Sequence, residues 1–122
     1  MAHFRFMDLD IWKKSIEIND RLFDLADKFS DAKSFRVAEQ LRGASLSISN
    51  NIAEGSGSFS DKDFANFLNI ARRSVFETAN ISFVAFKRNF IDKKELDQIL
   101  DDLDLLSRKI TNFRKTVLKN NN

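Results

Sequence analysis

Cysteine is absent from the 122 residues, which excludes disulfides and thiolate metal sites and fits a reducing compartment. Proline is absent and glycine occurs three times, so little interrupts a long helix. Tyrosine is missing as well; the aromatics are 13 Phe and one Trp. Phe brings apolar area without a polar handle, which suits dry contacts between helices. The single histidine, His3, lies outside every helical pattern. Without His or Cys in the helices, Ser–His and Cys–His nucleophile pairs are excluded. So are the Glu-x-x-His pairs that hold two irons in many helical bundles. No apolar run approaches the roughly 20 residues that span a bilayer. Residues 1–6, Met-Ala-His-Phe-Arg-Phe, lack the apolar stretch of a secretion signal. A cytoplasmic protein that does not enter membranes is expected.

What is present reads as four helices in one domain spanning residues 1–122, an all-α up-down-up-down bundle with antiparallel neighbours. The first helix is expected from Asp8 to Phe29, capped by Asp8 or Asp10. It carries two adjacent apolar stripes. One is Leu9, Trp12, Ile16, Phe23 and Ala26; the other is Ile11, Ile18, Leu22, Leu25 and Phe29. The second is expected from Phe35 to Glu54, with Val37, Leu41, Ala44, Ile48 and Ile52 as its stripe. Gly55 is then expected just past its end, where a left-handed residue closes a helix. Ser60, with Asp63 three residues on, predicts the cap of the third helix. That helix is expected to reach Asn89. Phe64, Leu68, Ala71, Val75, Thr78 and Ser82 line one face; Ala65, Phe76, Ala79, Phe83, Phe86 and Phe90 line another. Asp92 predicts the cap of the fourth, with Glu95 in the box position. From Leu96 to Val117 its apolar residues alternate by three and four, the seam of bundle packing. Lys119 to Asn122 are expected to fray.

Helices one and three carry more apolar surface than one bundle interior uses, and surplus apolar stripes mark interfaces. A homo-oligomer is therefore expected, through Ile11, Ile18, Leu22 and Leu25 on one helix and Ala65, Phe76, Phe83 and Phe86 on the other.

The second helix is unusually rich in Ser and Asn, weak helix formers that need a tertiary use. Gln40, Ser47, Asn51 and Glu54 share one edge of it and predict a half-buried polar seam. Ser45, Ser47 and Ser49 have no base to activate them and read as packing residues. Glu54 and Glu77 read as ion-pair partners of Arg42, Arg72 or Arg73 rather than as paired acids. Asp97, Asp101 and Asp104 precede Arg108, Lys115 and Lys119 on one face, the order a helix dipole favours, so no metal is invoked. Neither a catalytic residue nor a cofactor is expected.

Formal charge is +2 and uneven. Residues 1–54 hold 8 Lys and Arg against 9 acids, and residues 55–122 hold 12 against 9. Arg72, Arg73, Lys87, Arg88, Arg108, Lys109, Arg114, Lys115 and Lys119 are candidate phosphate contacts. The Phe residues sit in apolar stripes, so exposed stacking platforms are not expected.

Three strings carry a family resemblance: Gln40-Leu41-Arg42-Gly43-Ala44 with Ser47-Ile48 and Asn51-Ile52-Ala53-Glu54-Gly55; Asp8-Leu9-x-x-Trp12-Lys13; and Phe64-x-x-Phe67-Leu68-x-Ile70-Ala71-x-x-Ser74-x-x-Glu77. They resemble the bacterial four helix bundle protein family, also known as 23S rRNA intervening-sequence proteins. The resemblance implies a four-helix bundle that assembles as a homopentameric ring, from genes lying within intervening sequences of large ribosomal RNA genes. Accessory proteins of diversity-generating retroelements look similar, which implies nucleic acid (RNA or DNA) or a reverse transcriptase as partner. Two positions depart from the pattern. Gly43 stands where a second Arg is common, opening space beside Ser47, and Arg73 stands where Gly usually precedes Ser74.

Overall fold

The computed structural model describes residues 1–119. A 3-10 turn at Arg5–Asp8 leads into four helices: α1 (Asp10–Asp31), α2 (Phe35–Ser56), α3 (Asp61–Lys87) and α4 (Lys93–Lys119). No strand occurs among the described residues. The chain is all-α, and the four helices share one apolar core as a bundle requires. The fraying expected at 120–122 lies outside the described residues, while Lys119 still belongs to α4.

Local chemistry sets the helix starts on α3 and α4. The Ser60 hydroxyl accepts the Asp63 amide at 3.1 Å, and the Asp92 carboxylate accepts the Glu95 amide at 2.7 Å. Each cap satisfies an amide that the helix itself leaves unbonded. On α1 the expected Asp cap is absent. Leu9 occupies that place without a side-chain bond, and Asp10 is the first helical residue.

The ends of α1 and α3 are closed without glycine, whereas α2 ends on Gly57. Lys33 and Asn89 take positive φ, 63° and 64°. After α1 the Ser34 amide bonds to the Phe29 carbonyl at 2.8 Å and the Lys33 amide to that of Ser30 at 2.9 Å. After α3 the Phe90 amide bonds to Ala85 at 2.9 Å and the Asn89 amide to Phe86 at 3.0 Å. Both are Schellman closures. Gly55, expected to play this part for α2, instead lies inside that helix and is buried, with negative φ. Its reason is contact. A Cβ there would stand 2.6 Å from Phe67 Cβ and 2.9 Å from Phe64 Cδ1, so α3 crosses α2 where a side chain is missing. Gly43 has no such neighbour; nothing lies within 4 Å of where its Cβ would be.

The core draws on the predicted seams of α3 and α4: Phe64, Leu68, Ala71 and Val75 face Leu96, Ile99, Leu103, Leu106 and Ile110. On α1 the stripe expected to face another subunit turns inward, beside Leu9, Trp12 and Ala26 of its neighbour. Ile11, Ile18, Leu22 and Leu25 are 9% exposed or less and belong to the protomer's own core. They are therefore unavailable as the oligomer face expected of them. Ala65 is buried too, and Phe86 is half-buried against the core. Ile16 of the other α1 stripe is exposed instead. The stripes are adjacent on the wheel, and the direction from which α2 and α4 approach decides which residues close inward. Phe76 and Phe83 do remain exposed, at 56% and 47%.

Candidate nucleic-acid interface

The candidate cations divide by what the fold does with them. Lys109 is half-buried and donates to the Asp10 carboxylate at 3.0 Å, holding that carboxyl below its usual range. Arg114 donates through Nε to the Ala65 carbonyl at 2.9 Å and ties α4 to α3. Both side chains are engaged between helices, Arg114 by a backbone carbonyl and Lys109 by a partly exposed ion pair, so they are less free to meet a phosphate than the exposed cations. Arg108 is exposed and pairs with Asp104 at 3.0 Å, one turn back on α4. Such exposed pairs are weak and yield to a competing anion. Arg73, Lys87, Arg88, Lys115 and Lys119 are exposed and make no ion pair among the described residues.

Arg72 differs from the others. Its guanidinium lies over the Phe76 ring, 4.8 Å from the centroid, and its buried Nε has no hydrogen-bond acceptor among the described residues. The exposed ring and the stacked guanidinium border a groove between α3 and α4. The sequence pattern marked Phe76 for an oligomer face, which requires exposure, but did not single out its pairing with Arg72. The four-residue spacing from Arg72 to Phe76 was the available signal, since it puts the two on one helical face.

The polar seam also divides. The Ser47 and Ser74 hydroxyls bond at 2.9 Å across the α2–α3 boundary, and the Asn51 amide donates to the Ser47 carbonyl at 2.7 Å and hydroxyl at 2.9 Å. Gln40, Glu54 and Glu77 are exposed and lie outside that network. Among the described residues neither Glu54 nor Glu77 pairs with an arginine. Arg42 instead reaches Asp27 and Glu39, both at 2.8 Å, and Ser30 at 3.1 Å. Its pKa is raised, first by the hydrogen bond to Asp27. The deeper polar cluster was missed. Asn19 of α1 is buried, donates to Ser49 at 3.4 Å and accepts from Ser45. It explains two of the serines on α2. The acidic face of α4 is partly neutralised in place, Lys93 meeting Asp97 at 2.9 Å and Arg108 meeting Asp104. Among the described residues no helix is long and apolar enough to cross a membrane.

The model of the 23S rRNA-intervening sequence protein family matches residues 7–112. A crystal structure of a protein of unknown function from the S23 ribosomal protein family of Bacteroides thetaiotaomicron superposes with a TM-score of 0.80. The two chains are 24% identical over 86% of this chain and 98% of that one, a likeness that speaks to the fold alone. No curated protein matches the chain.

Proposed function

The chain belongs to the 23S rRNA-intervening sequence protein family, and from that premise we propose that it is a non-enzymatic, RNA-associated protein working as a homopentameric ring in the cytoplasm. The observation that carries the RNA reading is the set of outward cations on α3 and α4. Arg73, Lys87, Arg88, Lys115 and Lys119 are exposed and make no ion pair among the described residues. Symmetry would repeat them around a ring, and repeated charges sum into a field that a single protomer lacks.

Within the protomer we take the helices to alternate in direction. Three pairs between α1 and α4 support this: Asp10 with Lys109, Arg21 with Asp102 and Lys28 with Glu95. Residue numbers rise along one helix as they fall along the other. Between protomers, exposed apolar side chains support a contact: Leu46 and Ile70 on α2 and α3, and Phe83 farther along α3.

The test is binding of a structured RNA, followed by fluorescence anisotropy over a salt series. Phosphate contacts predict a log–log slope proportional to the number engaged, about −0.9 per phosphate for duplex DNA and less for single strands. A flat salt dependence, or no binding, rejects the RNA reading. Capture of a reverse transcriptase by a protein that binds no nucleic acid would support a docking scaffold instead. A monomeric mass by light scattering at micromolar concentration rejects the ring.

A further inference from the structure

We propose that the α3–α4 groove around Phe76 is a stacking site for one unpaired nucleobase of single-stranded RNA, with an adjoining phosphate held by Arg72 and Arg108. This rests on the RNA-associated reading above.

Two compartments meet at Phe76. One, of about 240 Å³, is mostly apolar and walled by Val75, Ala79 and Leu103, with Asp104 and Ser107 shared with the second. The other, of about 420 Å³, is lined by Arg72, Arg108 and Asn112. Phe76 borders both. A nucleotide has the same division: a flat base with apolar faces, and a phosphate that requires cations. Phe76 is 56% exposed although Arg72 lies over its ring, which leaves open area for a base to cover. Base–aromatic stacking tolerates any base, because each has a π face. The Arg72 guanidinium adds a second flat, cationic surface at the junction. Asp104 opposes a phosphate here, and it holds Arg108 in an exposed pair at 3.0 Å. That pair is weak, so an incoming phosphate competes for Arg108. Duplex RNA keeps its bases stacked and paired, so it does not fill the apolar compartment.

The test compares a short fluorescein-labelled single-stranded RNA of mixed sequence with the same strand annealed to its complement. Phe76→Leu retains apolar bulk and removes the π face. It is expected to weaken single-strand binding about tenfold and to leave duplex binding unchanged. Asp104→Asn is expected to tighten single-strand binding about two- to fivefold, a gain that damaged folding does not produce. Equal loss for single strand and duplex, or no change in Phe76→Leu with RNA binding intact, overturns the stacking site and leaves the RNA reading standing. A change of oligomer mass in Phe76→Leu, by light scattering, assigns the groove to contact between copies and also overturns it. No binding of either RNA by the parent protein removes the site and the RNA reading together.

Discussion

Alanine at Gly55 would place a methyl group 2.6 Å from Phe67 Cβ and 2.9 Å from Phe64 Cδ1. Ordinary carbon contacts lie near 3.5–4.0 Å, so the helices must part by about 1 Å. The new Cβ and that of Phe67 are both fixed to backbone, and no rotamer relieves their clash. Overpacking of this kind costs roughly 1–3 kcal/mol, and the absence of side-chain relief places it at the upper end. Against this stands the gain of alanine over glycine within a helix, about 1 kcal/mol. The expected net loss is about 2 kcal/mol, a fall in melting midpoint of roughly 6–10 °C for a chain of this size. Gly43→Ala supplies the control on the same helix. Nothing lies within 4 Å of its added methyl, so only the propensity gain acts, about +0.5–1 kcal/mol. Urea unfolding followed by far-UV circular dichroism measures both variants, at one protein concentration because assembly couples to stability. Opposite signs are expected. Gly55→Ala within about 0.5 kcal/mol of the parent, or both variants moving the same way, refutes the close-approach account.

Asn19→Ala leaves Ser45 and Ser49 without their α1 partner and should cost about 1–3 kcal/mol, whereas Glu54→Gln on the exposed edge should stay within about 0.5 kcal/mol. Thermal melts of both check which polar group is structural; equal shifts contradict the assignment. Lys109→Met should cost less than about 1 kcal/mol near neutral pH, the range of an exposed pair. The Asp10 carboxyl is held below its usual 3.8, first by the Lys109 hydrogen bond, so its folded pKa lies under its unfolded one. Its stabilisation is present above the unfolded value and lost as pH falls through the folded value. The stability gap between parent and variant should therefore close below about pH 4, and a gap that widens in acid is the contrary outcome. Lys115→Gln should leave melting unchanged while making the salt slope of RNA binding shallower by about 0.7 to 0.9. A loss of stability without a change in slope would assign Lys115 to the fold instead.

Much of the fold was legible because its determinants are local. The apolar residues of α3 and α4 recur at helical spacing, and Ser60 and Asp92 cap within three residues of the amides they bond. The closures at Lys33 and Asn89 were less visible, because neither uses glycine to reach positive φ. The interface was legible only as a list of cations. Spacing located them on helices, but it did not show that Lys109 would be drawn to Asp10 or Arg114 to the Ala65 carbonyl. Those partners lie 99 and 49 residues away along the chain. Asn19 went unnoticed for the same reason, since its serine partners belong to the next helix.

By itself the sequence determined four amphipathic helices, their two clear caps, the basic excess of the second half and the family signature on α2 and α3. All are properties of a few turns of chain, governed by period, propensity and composition. Tertiary structure decided that the α1 stripe with Ile11 and Leu22 turned inward, why Gly55 has no side chain, which arginines were consumed by carbonyls and carboxylates, and that Phe76 would border a groove with Arg72. Each depends on how closely two helices approach and from which side. That is set by the packing of the whole core, and no single helix encodes it.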